Sequence, residues 1–95
     1  MTIQYLEGKH RFYVPGLAGE PDVAEVTFQR EGDNIGIIDH IYVNPNYRGQ
    51  GIAEHLFELA VEKLKQEGRK IIPVCSYAKV QFERKTHLQH LLVKE

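Results

Sequence analysis

The residues with the clearest chemical potential form the run Val43-Asn44-Pro45-Asn46-Tyr47-Arg48-Gly49-Gln50-Gly51-Ile52-Ala53. A strand-like segment ends at Val43, Pro45 sets the exit from it, and an apolar-periodic helix begins near Gly51. The first turn of a helix has backbone N–H groups with no intrahelical partner, and its dipole is positive there. Gly49 and Gly51 let a bulky group approach the main chain, and Arg48 adds a full positive charge. The loop therefore reads as a seat for phosphate or diphosphate. The amides of Gly49, Gly51, Ile52 and Ala53 are its donors, and Gln50 completes the turn. It is not a Walker loop, because no Gly-Lys-Ser/Thr ending is present, and the chain is too short for the second half of a dinucleotide fold.

His40 and Cys75 are the second candidate pair. An imidazole titrates near neutrality and suits a general base, while a thiolate is a nucleophile. Both residues fall toward the ends of strands that an intervening helix makes parallel, so they meet if their side chains share a face. Tyr77 lies two residues after the cysteine. His87 and His90 lack a local third ligand, so no metal site is expected.

Several elements must position these groups. Short strands are expected at Ile3–Leu6 and His10–Val14 around a turn at Gly8, then a loop through Pro15, Gly19 and Pro21. Val23–Arg30 alternates, with Ala24, Val26 and Phe28 on one face, and pairs with Gly36–Val43 across the turn at Glu31–Asn34. Strict alternation in the second strand puts Ile37, Asp39, Ile41 and Val43 on one face, and Ile38, His40 and Tyr42 on the other. A helix from about Gly51 to Glu67 carries Ile52, Ala53, Leu56, Phe57, Ala60, Val61 and Leu64 in one stripe, with Gly68 as its cap. Lys70–Cys75 forms a strand in which Pro73 cannot donate to a ladder, so the chain must splay there or lie at an edge. Ser76 can cap a second helix running to about Lys85, with Tyr77, Val80, Arg84 and Phe82 packing inward. The tail His87–Val93 is apolar enough to pack and ambiguous between helix and strand, with a short helical piece favoured.

Ninety-five residues, 42% apolar and 26% charged, describe a single small globular domain spanning 1–95. A formal net charge of −1 gives no electrostatic case for nucleic acid or an anionic membrane. No apolar stretch is long enough to span a bilayer, the first residues given lack the basic start and apolar core expected of a signal peptide, and a lone cysteine forms no internal disulfide. A cytoplasmic protein, monomeric or weakly dimeric, is the expectation.

Arg48-Gly49-Gln50-Gly51-Ile52-Ala53, placed after a strand that ends in Val-Asn-Pro, resembles the pyrophosphate loop of the GCN5-related N-acetyltransferase superfamily. Pro73-Val74-Cys75-Ser76-Tyr77 resembles a Pro-Leu-Cys-Pro/Ser-Phe/Tyr signature of its very small members, in which a histidine on the preceding parallel strand matches His40. The resemblance covers roughly residues 23 to 84. It implies an α/β acyl-CoA N-acyltransferase-like fold: a mixed, mostly antiparallel sheet with a splayed parallel strand pair around a central helix, lacking the family's N-terminal helices.

The resemblance also implies acetyl-CoA, or coenzyme A, as cofactor. Its diphosphate would lie on Arg48–Ala53, and its pantetheine arm between the splayed strands near Cys75 and Tyr77. A free N–H at Tyr42 or Val43 would polarise the thioester carbonyl. The acceptor would be a primary amine on a small molecule or a protein lysine. His40 would act as base for direct transfer, or Cys75 would carry the acetyl group as a thioester. Tyr42 stands where many members place a glutamate base, and Asp39 is expected to face away from it. The alternatives are a non-catalytic acyl-CoA-binding module, which needs Arg48 but neither His40 nor Cys75, and a protein-interaction adaptor, which binds no cofactor.

Overall fold

The computed structural model describes residues 3–94. Five strands, β1 (Leu6–Glu7), β2 (Arg11–Val14), β3 (Ala24–Glu31), β4 (Ile35–Val43) and β5 (Lys70–Pro73), form one sheet in sequence order. The first four are antiparallel, and β5 runs parallel to β4. That parallel step requires a crossover, supplied by helix α1 (Ile52–Gln66). Helix α2 (Ser76–Arg84) and a 3-10 helix (Thr86–Leu91) come after β5. This is the mixed α/β architecture expected of the acyltransferase fold. Among the described residues no helix is long and apolar enough to cross a membrane.

One face of the sheet makes the core. Phe12 and Val14 of β2 and Ala24, Val26 and Phe28 of β3 are buried against α1, as their alternation requires. Helix α1 presents Ile52, Leu56, Phe57, Ala60, Val61 and Leu64 to them. Each of the larger side chains contributes roughly 1.5–3 kcal/mol when fully buried. Phe57 meets Phe82 of α2 edge-to-face at 5.3 Å, so both helices cover the same face. Gly36 lets α1 approach β4 closely, because a Cβ there would lie 2.6 Å from Leu64 Cδ2.

Strict alternation fails in β4. Thr27 pairs with His40, but Phe28 pairs with Ile38, leaving Asp39 as the extra residue of a β-bulge. Gly36 and Ile38 face α1 before the bulge, and Ile41 and Val43 face it afterwards. The grouping of Ile38 with His40 and Tyr42 is thus corrected: Ile38 is fully buried, while His40 and Tyr42 are exposed on the opposite face.

Four other expectations shift. The first strand begins at Leu6 rather than Ile3. Cys75, not Ser76, caps α2, its Sγ accepting the Ala78 N–H at 3.4 Å. Ala78, Gln81 and Phe82 form the buried side of α2, while Val80 and Arg84 are exposed. The tail is helical first and strand-like afterwards. The 3-10 helix gives way to Leu92, which bridges Ile71 in parallel, and Val93 N–H donates to Ile71 O at 3.1 Å.

Candidate active site

The parallel pair opens just beyond the bulge. Ile38 pairs with Pro73, and Val74 N–H donates to Ile38 O at 2.9 Å; β5 then ends. Because the Val74 amide points at β4, the nitrogen of Pro73 points outward, where its missing hydrogen costs no ladder bond. On its other edge, β4 stays tied to the neighbouring chain as far as Asn44, whose N–H reaches Val23 O at 2.8 Å. Alternation then aims the amides of Ile41 and Val43 into the gap.

A cleft of about 400 Å³ occupies this opening on the α1 side. It is lined by Ile41, Val43, Tyr47, Arg48, Gly49, Gly51, Ile52, Ala53, Glu54 and Tyr77. Asn44 Oδ1 accepts the Asn46 N–H at 2.9 Å and starts a 3-10 turn over Pro45–Tyr47, which aims the loop at the first turn of α1. Gly51 is the N-cap of α1 and offers no side-chain bond. Among the described residues, the amides of residues 49–54 have no protein partner. Gly49 and Gly51 adopt φ of +85° and +78°, which only glycine takes without strain, and a Cβ on either would meet nothing within 4 Å. Their backbone, rather than packing, demands glycine.

Arg48 Nε donates to Val43 O at 3.2 Å, holding the guanidinium against the free edge of β4. Its two terminal nitrogens have no protein partner among the described residues. Unpaired amides at a helix N-terminus beside a guanidinium are the donor set a diphosphate requires, so these residues fit one.

The other candidate residues are spread more widely. Tyr77 lines the cleft, and burial, then the charge of Glu54, raise its phenol above the ordinary range. Cys75 is partly buried against the core on the α1 side, outside the cleft lining. Tyr42 lies on the opposite, exposed face, and Gln50 lines a neighbouring hollow with Val14, Leu17 and Val23. His40 is exposed beside Tyr42. The structure therefore does not bring His40 and Cys75 together: they flank the gap from opposite faces of the sheet.

Asp39 is where the structure departs most from expectation. The bulge turns its carboxylate to the open face beside His40, where Thr27 Oγ1 donates to Oδ1 at 2.6 Å and Gln29 Nε2 to Oδ2 at 3.1 Å. One signal for this lies in the sequence. Asp39-His40 puts two polar residues side by side in an otherwise apolar strand, which breaks a two-residue period. Tyr47, Ile41 and Glu54 are cleft residues that the sequence does not single out, because nothing in their spacing distinguishes them. Among the described residues no cluster of histidine, cysteine or carboxylate side chains suits a metal ion.

Comparison with known proteins places this geometry. The model of the GCN5-related N-acetyltransferase family matches residues 11–91. The solution structure of a GCN5-like N-acetyltransferase candidate from Staphylococcus aureus is 28% identical, with a TM-score of 0.78, and the match covers 98% of this chain and 90% of that one. N-acetylglutamate synthase from Neisseria gonorrhoeae, solved with coenzyme A and N-acetylglutamate, shares the fold at 14% identity and a TM-score of 0.63, over 79% of this chain and 18% of its own. A family acetyltransferase from Elizabethkingia anophelis with acetyl-CoA bound does so at 15% identity and 0.59, over 80% of this chain and 51% of its own. No protein of curated function matches the chain.

Proposed function

Since this chain belongs to the GCN5-related N-acetyltransferase family, a family of acyl-CoA-dependent enzymes, we propose that it moves an acetyl group from acetyl-CoA to a primary amine by direct transfer across the gap between β4 and β5. The observation that carries this reading is the two-sided gap. The phosphate cradle and Tyr77 lie on its α1 side, and His40 with Asp39 on its open face.

In this reading the diphosphate sits on the amides of residues 49–54 and on Arg48. The amides of Ile41 and Val43 face the thioester carbonyl and stabilise the charge that develops on its oxygen. The amine arrives from the open face. Its nitrogen bonds to the carbonyl carbon, His40 takes the proton the nitrogen loses, and the C–S bond breaks. Tyr77, a phenol in the cleft lining, donates a hydrogen bond to the departing thiolate. Asp39, held by Thr27 and Gln29, offers a carboxylate oxygen to an N–H of the incoming neutral amine. Separation of His40 from Cys75 supports direct transfer over an acyl-cysteine, because no base then stands beside the thiol.

The acceptor we favour is a protein lysine. Only a tight turn, with Gly8 N–H donating to Arg11 O at 2.8 Å, joins β1 to β2, and among the described residues no helix roofs the face carrying His40 and Asp39. The test is His40→Ala, read in two ways. Amide shifts of residues 49–54 on titration with acetyl-CoA should match the wild type, while kcat for lysine-peptide acetylation falls about 100-fold. Unchanged kcat would remove His40 from the mechanism, and absent shifts in the wild-type protein would remove the cofactor from the cleft.

A further inference from the structure

One group in the phosphate cradle opposes the charge the cradle is built to hold. Glu54, third residue of α1, lines the cleft with Arg48, Gly49, Gly51 and Tyr77, and its side chain is 53% exposed. A carboxylate in the first turn suits the positive end of the helix, which is where a phosphate would also sit, so the two compete for one field. Lys85, at the end of α2, places Nζ 3.5 Å from Glu54 Oε1. Its side chain is only 22% exposed, and the Phe57–Phe82 contact fixes α2 against α1. Packing of the two helices thus delivers a cation to a carboxylate of the cradle. The charge of Glu54 also reaches across the cleft, where it adds to the effect of burial on Tyr77.

We propose that Glu54 limits the affinity of the cleft for the anionic cofactor, and that Lys85 sets that limit by partly neutralising it. The proposal rests on the reading that the phosphates of coenzyme A lie at residues 49–54. Substrate and product carry the same phosphates, so a weakened cradle releases spent coenzyme A faster as well as binding acetyl-CoA less tightly.

The experiment measures the Kd of coenzyme A by amide-shift titration for the wild type, Glu54→Gln, Lys85→Gln and the double variant. Glu54→Gln should tighten binding about threefold to tenfold at low salt, and Lys85→Gln should weaken it by a similar factor. In the double variant most of the Lys85 effect should vanish, and raising salt should shrink every difference. Glu54→Ser, which removes the same charge but keeps a polar first turn, gives an independent reading if the glutamine disturbs the helix start. Unchanged or weaker binding in both Glu54 variants, with the shifts still centred on residues 49–54, overturns the proposal and leaves the cofactor site standing. An undiminished Lys85 effect in the double variant overturns its masking role. Shifts centred elsewhere in the wild type sink the site itself.

Discussion

The two ends of the β4–β5 pair are built to opposite specifications. At the end where β4 starts, Arg30, Glu67 and Arg69 form one paired network. Glu67 accepts Arg30 Nε and Nη2 at 2.8 and 2.7 Å and Arg69 Nε at 2.8 Å. Arg69 Nη1 reaches the carbonyls of Gly32 and Ile35, and Lys70 N–H reaches Asn34 O. Gly36 brings Leu64 down onto the strand below this network. At the other end, past Asp39, β4 loses its parallel partner, the helix start has no side-chain cap, and Arg48 has spare donors. A strand pair can stand open at one end only if the other end fixes its direction. Paired charges gather at the closed end of the pair, and unmet hydrogen-bonding capacity at the open one.

That contrast can be broken deliberately. The largest effect is expected from Leu64→Ala, which empties the contact over Gly36 and should cost about 2–5 kcal/mol in chemical denaturation. The surviving folded protein should still show coenzyme A shifts at residues 49–54. Glu67→Gln comes next, at about 1–2 kcal/mol near neutral pH, because the pair is partly exposed. Its pH dependence sharpens the test. Hydrogen bonds from Arg30 and then Arg69 lower the Glu67 pKa from 4.5 to about 2. A folded pKa below the unfolded one contributes stability above the unfolded value and loses it as pH falls through the folded value. The difference between wild type and Glu67→Gln should therefore be complete above pH 4.5 and shrink toward pH 2; a difference that is constant with pH contradicts the assignment. Arg48→Ala should change stability least, within about 0.5 kcal/mol, yet weaken coenzyme A binding about tenfold or more in titration calorimetry. Loss of folding without loss of binding would reverse the proposed division of labour.

How much of this is legible without the structure depends on how local the determinants are. The apolar stripe from Ile52 to Leu64 identifies α1 and its buried face by itself, because side chains three and four apart must share a side of a helix. The Arg48–Ala53 loop is equally readable, since glycine at Gly49 and Gly51 licenses the left-handed backbone that frees those amides. Strand β4 is readable as a strand but not as a surface. One extra residue at Asp39 reverses the parity of the rest of the strand, and a bulge is a property of two strands in register. The shared face that His40 and Cys75 would need in order to meet is lost for that reason. Cys75 likewise reads as a strand-end residue, whereas its sulfur caps α2.

By itself, then, the sequence determined the parallel crossover, the helix that makes it, and a glycine turn with free amides at the start of that helix. Each comes from torsional preference and periodicity within a few neighbouring residues. Tertiary structure alone decided which side of the sheet His40, Asp39 and Tyr42 occupy, and it alone set Lys85 against Glu54. Strand register and helix packing join residues far apart in the chain, and neither is encoded in any one segment.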